Sequence, residues 1–223
     1  MRAYIVQHAN GPFREVDLPR PLPGPGQVLV RVHAGGINPL DTKIRAGKAA
    51  HARQPLPAVL GVDVAGEVES VGPGVSAFRQ GEAVYGMVGG IGGLQGTLAD
   101  YAVVNAALLA AKPKSLSMRE AAALPLVTIT AWEGIVDRAN VRGGQKVLVH
   151  AGAGGVGHVA VQLARSRDAD VFATVSPNKR AIAESFGATA IDYLSLTPEQ
   201  YVNLYTDGEG FDVVYEHRRR CDD

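Results

Sequence analysis

The chain is predicted to be an α/β protein, with a β-rich domain over residues 1–122 followed over 123–215 by part of a doubly wound parallel sheet. Three observations predict this. Short alternating apolar segments, separated by glycine and proline clusters such as PLPGPGQ, fill the first 110 residues. From Thr128 onward strands alternate with helices. Between one such strand and the next helix stands a glycine-rich turn, in the stretch HAGAGGVGHVAVQLARSRD over 150–168.

Alternation places the first strands at 3–6, 28–33, 62–71, 83–88 and 98–104. A short helix follows Asn38, because Pro39 suits the first helical position and Gly47 the end. Ser117 and Glu120 have the spacing of a capping box, which opens a helix that ends before Pro125. Beyond it the pattern gives helix 129–139, strand 146–150, helix 157–167, strand 170–175, helix 178–186, strand 190–192, helix 198–206 and strand 211–215. Such alternation implies parallel strands joined by crossover helices, and places the domain boundary near 123.

Lysine plus arginine and aspartate plus glutamate both number 22, so no net charge favours nucleic acid, a membrane surface or a polyanionic partner. At 46% hydrophobic content the chain can bury a substantial core, and no apolar run approaches the ~20 residues of a membrane span. The one cysteine, Cys221, excludes an internal disulfide framework and a cysteine-rich zinc lobe. The opening MRAYIV reads as a strand rather than a signal peptide, so a cytoplasmic protein is expected.

Gly152, Gly154 and Gly157 have the G-x-G-x-x-G spacing, with Gly155 and Val156 between the last two. The first glycine permits a tight turn, the second lets backbone approach a pyrophosphate, and the third lets helix pack on strand. The helix N-terminus adds unpaired N–H groups and positive dipole. A dinucleotide site is therefore expected here, the alternative being a purely structural glycine turn.

Three further stretches carry a resemblance: GGINPLDTKIRAG over 35–47, GVDVAGEVESVGPGV over 61–75 and AALPLVTITAWEGI over 122–135. With AGAGGVG they are similar to the zinc-independent branch of the medium-chain dehydrogenases/reductases, the quinone oxidoreductase and zeta-crystallin group. The resemblance implies a GroES-like catalytic domain, then a Rossmann domain, with the active site in the cleft between them. It also implies that Asn38 and Val62 stand where the alcohol dehydrogenase branch holds catalytic zinc with a cysteine and a histidine. Neither side chain is a tight zinc ligand, so no metal is expected. His8, His33, His51, His150, His158 and His217 lack a ligand spacing and read as surface or core histidines.

The strand after the glycine turn ends Thr174, Val175, Ser176, with no acid to grip a ribose 2′-hydroxyl. Ser176, Lys179 and Arg180 form a basic and polar patch suited to a 2′-phosphate, and Tyr193 matches a family position beside it; NADPH is favoured over NADH. For Lys179 and Arg180 the alternative is a solvated helix face. Thr130 matches the family position touching the nicotinamide, unless its hydroxyl binds its own helix backbone. Asn38 either lines the nicotinamide end of the cleft or caps the helix at Pro39. Asp41 is expected to accept hydrogen bonds from loop backbone. Lys43 stands where many members carry tyrosine and where enone and alkenal reductases carry lysine. Its ammonium would hold a substrate carbonyl, or it is a surface lysine. The implied reaction is NADPH-dependent reduction of a quinone or conjugated carbonyl. The alternatives are carbonyl-to-alcohol reduction and a catalytically dead nucleotide-binding or crystallin-like structural protein.

A complete Rossmann domain orders its strands 3-2-1-4-5-6, of which this chain is expected to provide 3-2-1-4, whereas the resemblance implies two more strands, a returning catalytic segment and a dimer contact. The homodimer expected of the family is therefore doubtful for this chain. The resemblance stops at Tyr215, before EHRRRCDD. One purine inserted into GC-rich codons for a family loop like DTVGGAT yields EHRRRCD, so residues 216–223 read as a frameshifted tail; the alternative is a native basic tail. An apolar edge at the last strand, poor solubility and negligible activity are expected on that reading.

Overall fold

The computed structural model describes residues 1–216, so the tail expected at 216–223 falls outside the described residues except for Glu216, and His217 and Cys221 fall outside as well. The chain divides into two compact units, the first ending at Leu126 and the second beginning at Val127.

The first unit holds β1 (Arg2–Val6), β2 (Phe13–Asp17), β3 (Gln27–Gly36), α1 (Pro39–Arg45), β4 (Ala58–Val59), β5 (Asp63–Val71), β6 (Ala83–Met87), β7 (Tyr101–Asn105), β8 (Ala110–Ala111) and α2 (Met118–Ala122). An antiparallel five-stranded sheet runs β7-β3-β5-β6-β8, and a second sheet runs β2-β1-β4. In β3, Val28 and Val30 join Val64, Val68, Val84 and Val104 in one buried cluster, while Arg31 faces water and pairs with Glu67. Leu29 is buried too, and from Val30 to Gly35 buried or half-buried residues alternate with exposed ones, which is why the strand was legible. The capping box at Ser117 forms, with Ser117 N–H donating to Glu120 Oε2 at 2.8 Å and Glu120 N–H to Ser117 Oγ at 3.2 Å.

Strands β2, β4 and β8 escape periodicity. In β2 the sequence FREVD leaves every residue exposed or half-buried, and the strand is defined by its register on β1, from Arg2 opposite Asp17 to Val6 opposite Phe13. The strand expected at 98–104 begins at Tyr101, because Leu98 N–H donates to the Leu60 carbonyl (2.9 Å) and the Leu98 carbonyl accepts from Tyr4 N–H (2.8 Å).

Next comes α3 (Pro125–Trp132), continued by a π-helical turn, Glu133–Arg138. The expected start at 129 is corrected: a proline is at home in a first helical turn, so Pro125 opens this helix rather than only closing the one before. The widened turn is accompanied by a long-range bond. Tyr215 Oη donates to the Thr130 carbonyl at 3.2 Å, from a half-buried ring. Tyr215→Phe is expected to lower the unfolding free energy by about 1 kcal/mol, measured by denaturant titration. An unchanged midpoint would show that the bond contributes nothing.

The second unit continues with β9 (Lys146–Val149), α4 (Gly157–Arg165), β10 (Asp170–Val175), α5 (Arg180–Ser185), β11 (Thr189–Asp192), α6 (Pro198–Thr206) and β12 (Val213–Tyr215). The sheet is parallel in the order β11-β10-β9-β12, the 3-2-1-4 order expected. Both faces are covered. Val147 and Val149 pack with Val161 and Ala164 of α4 and Ala183 of α5, while Leu148 packs with Ile191 and Tyr201 of α6. The fold is α/β, a GroES-like β-rich unit with a partial Rossmann sheet. The helix expected at 178–186 is split, a 3-10 turn at Pro177–Lys179 preceding α5, because Lys179 departs from helical backbone at φ −108°, ψ 3°. Among the described residues no helix is long and apolar enough to cross a membrane.

Candidate functional site

The glycine turn leaves β9 at His150, whose N–H donates to the Tyr215 carbonyl at 3.0 Å. Ala151 adopts φ 53°, a left-handed conformation, and its N–H donates to Thr174 Oγ1 at 3.2 Å. Gly152 N–H reaches the Thr174 carbonyl at 3.2 Å, and His150 Nδ1 lies 3.1 Å from Thr174 Oγ1. Thr174, almost wholly buried at the end of β10, thus holds the turn from beneath, a role that sequence reasoning missed. At Gly152 an added Cβ would fall 2.4 Å from Ala173 Cβ, and at Gly157 2.2 Å from the Ala151 carbonyl oxygen.

Helix α4 starts at Gly157 with Val156 as N-cap and no side-chain cap. Among the described residues the N–H groups of Gly155, Val156 and Gly157 donate to no protein acceptor. They are the donors that a helix start offers to an anion.

A cavity of about 230 Å³ adjoins this turn, lined by Gly154, Thr174, Ser176, Lys179 and Tyr193 among others. The structure therefore brings Ser176, Lys179 and Tyr193 together beside the glycine turn. It does not bring Arg180 to the cavity wall: that guanidinium donates to Glu184 Oε1 (3.3 Å) and to the Ala190 carbonyl (3.2 Å), tying α5 to β11. Ser176 Oγ donates to Asn178 Oδ1 at 2.6 Å. Asp192, the acid at the end of β11, accepts from Ser195 Oγ (2.5 Å) and Leu194 N–H (2.9 Å), bonds that hold its carboxyl below the usual range. Thr130 lies in α3, half-buried.

In the first unit Asn38 is the N-cap of α1 and almost fully buried. Its N–H donates to Asp41 Oδ2 (2.8 Å), and Asp41 Oδ1 accepts from Gly61 N–H (3.2 Å), the backbone-bracing role expected of Asp41. The Asn38 carboxamide donates through Nδ2 to Asp63 Oδ2 at 2.9 Å. Asp63, 0% exposed, also accepts Leu126 N–H on Oδ1 (3.0 Å), and its carbonyl accepts Thr97 Oγ1–H (2.9 Å). Burial pushes its carboxyl up to about 6, against the lowering effect of the Asn38 and Leu126 bonds, and Asp41 raises it further. Burial raises the Asp41 carboxyl too. Sequence reasoning missed Asp63. Its signal was an acid inside the apolar run GVDVAGEV.

Lys43, exposed on the last turn of α1, makes no ion pair among the described residues. No group of three or more His, Cys, Asp or Glu among the described residues could hold a metal. Asn38 Nδ2 is engaged by Asp63 and Val62 is a buried apolar side chain, so these two residues do not fit a zinc ion.

Residues 24–114 match the family model for the alcohol dehydrogenase GroES-like domain, and residues 155–218 that for zinc-binding dehydrogenase. The chain is 43% identical over 197 residues to the 2-methylene-furan-3-one reductase of Solanum lycopersicum, covering 85% of this chain and 49% of that protein. It is 32% identical over 222 residues to the quinone oxidoreductase of Pongo abelii, covering 97% of this chain and 66% of the other. A crystal structure of an alcohol dehydrogenase superfamily protein from Novosphingobium aromaticivorans is 58% identical with a TM-score of 0.94, over 96% of this chain and 65% of that one. The chain thus spans about half the length of the tomato protein.

Proposed function

Because the chain belongs to the medium-chain dehydrogenase/reductase superfamily, in its quinone and enone oxidoreductase branch, we propose that it serves NADPH-dependent reduction of a quinone or an α,β-unsaturated carbonyl. The observation that carries the reading is the cavity beside the glycine turn, where Ser176, Lys179 and Tyr193 converge and no acid ends β10. A cofactor dinucleotide, when bound, supplies the hydride. The chain's own residues do the rest. Gly155, Val156 and Gly157 offer backbone N–H groups to the pyrophosphate, Lys179 and Ser176 bind a ribose 2′-phosphate, and Tyr193 flanks it. Thr130 orients the nicotinamide and Lys43 holds the substrate oxygen as it gains charge. Arg180, tied to Glu184 and Ala190, contributes by fixing α5, which carries it, against β11.

Lys179→Ala tests cofactor choice. Loss of one bond from an ammonium to phosphate should weaken NADPH binding by about 1.5–3 kcal/mol and leave NADH binding unchanged, read by nucleotide fluorescence titration. Equal losses for both nucleotides, or a wild type that prefers NADH, would remove the 2′-phosphate argument. Consumption of NADPH in the presence of a quinone and of an enone tests the reaction itself, and no consumption with either would defeat it.

A further inference from the structure

We propose that Asp63 is a positioning residue for this reaction, its carboxylate holding the Asn38 carboxamide and the Leu126 N–H at once; this rests on the reading that Asn38 belongs to the reductase site. Two segments distant in sequence place one donor on each carboxylate oxygen, Asn38 Nδ2 at 2.9 Å and Leu126 N–H at 3.0 Å. The group sits at the start of β5, paired between Gly36 and Met87, with no exposure to water and no ion pair among the described residues. The charged group facing it is Asp41 of α1, another acid.

A lone buried carboxylate beside a second one is an expensive choice for a fold. Helix α3 alone would be served by a neutral cap such as serine or asparagine. Two donors on two oxygens are another matter. A carboxylate accepts both, whereas an asparagine amide has one acceptor oxygen and must turn its NH2 toward the other donor. A protonated carboxyl has the same defect, since its O–H occupies one of the two sides. The ionised form is thus the one that fixes the Asn38 carboxamide and the Leu126 N–H together.

The test compares wild type, Asp63→Asn and Asn38→Ala. In the wild-type chain the side-chain amide resonance of Asn38 should respond to pH with a midpoint near 6, and in Asp63→Asn it should not respond. The wild-type titration needs neither turnover nor a variant that folds well. The kcat for enone reduction should fall at least about tenfold in Asp63→Asn with the KM for NADPH within about twofold. Asn38→Ala should match that loss.

The sign of the pH effect separates positioning from structural support. The folded carboxyl titrates above its ordinary 3.8, so protonation favours the folded state. Wild type should therefore gain stability relative to Asp63→Asn as pH falls through about 6 toward 4, while its kcat declines over the same range. A residue that served only the fold would move both together. An Asn38 resonance insensitive to pH, or Asp63→Asn with wild-type kcat and pH profile, overturns the proposal. An inactive wild type whose Asn38 resonance still titrates supports the coupling and overturns the reductase reading instead.

Discussion

Replacing Gly157 by alanine is expected to abolish useful dinucleotide binding. The added Cβ would lie 2.2 Å from the Ala151 carbonyl oxygen and 2.9 Å from both the Ala151 carbonyl carbon and Gly152 Cα. All three are backbone atoms of the turn itself. Ala151 is already left-handed at φ 53° and is held by Thr174, so it has little freedom to retreat. The strand-to-helix turn must open, at a cost to folding of about 1–3 kcal/mol. Opening it displaces the N–H groups of Gly155, Val156 and Gly157. Bonds from such donors to a phosphate contribute about 1.5–3 kcal/mol each, so losing one weakens NADPH binding by about tenfold or more and losing two by at least about a hundredfold. Fluorescence titration and a thermal melt measure the two effects. Gly155→Ala is the control. There a Cβ meets only Val127 Cγ1 at 3.8 Å, an ordinary contact, so stability should stay within about 0.5 kcal/mol of wild type. A Gly157→Ala variant that binds NADPH like wild type would show that the turn is a structural glycine loop and not a phosphate cradle.

The parallel sheet and its glycine turn were legible because each rests on local chemistry that only a few residues can supply. The KVLV run of β9 is buried on both faces, the pattern of a strand covered by helices, and Gly152 and Gly157 have a steric reason, since an added Cβ would fall 2.4 Å and 2.2 Å from its neighbours there. Asp41 was legible too, since an acid three residues past an N-cap has few uses other than the backbone N–H it accepts. What escaped depends on partners distant in sequence. β2 exists because β1 pairs with it, and the π-helical turn adjoins a helix whose Thr130 carbonyl receives the Tyr215 hydroxyl. Arg180 is different: its i,i+4 partner Glu184 was readable from spacing, and only the bond to the Ala190 carbonyl depends on the sheet. Asp63 is the sharpest case. Its donors come from residues 38 and 126, one from each side along the chain, and no spacing rule connects them. The acid in an apolar strand was visible, but the reason for it was not.

Lys43→Ala is expected to lower the rate of enone reduction by about ten- to a thousand-fold, which is about 1.4–4 kcal/mol of transition-state stabilisation, while leaving the dissociation constant of NADPH unchanged. Helix α1 is anchored at its start by the Asp41 carboxylate on Asn38 N–H and at its end by Gly47 N–H on the Ile44 carbonyl (2.9 Å), with the Lys43 carbonyl accepting Lys48 N–H (2.8 Å). The backbone that carries Lys43 is therefore fixed, and its ammonium, without an ion-pair partner among the described residues, is available to an oxygen. As hydride arrives at the β-carbon of an enone, the electron pair moves to the carbonyl oxygen, and a positive hydrogen-bond donor there is worth more in the transition state than in the ground state. That difference acts on kcat rather than on nucleotide affinity. Lys43→Arg keeps the charge while altering its reach and geometry, so it should recover part of the rate. A surface lysine gives the opposite result, with all three proteins turning over alike, and that outcome would leave the oxyanion to another group and withdraw Lys43 from the reaction.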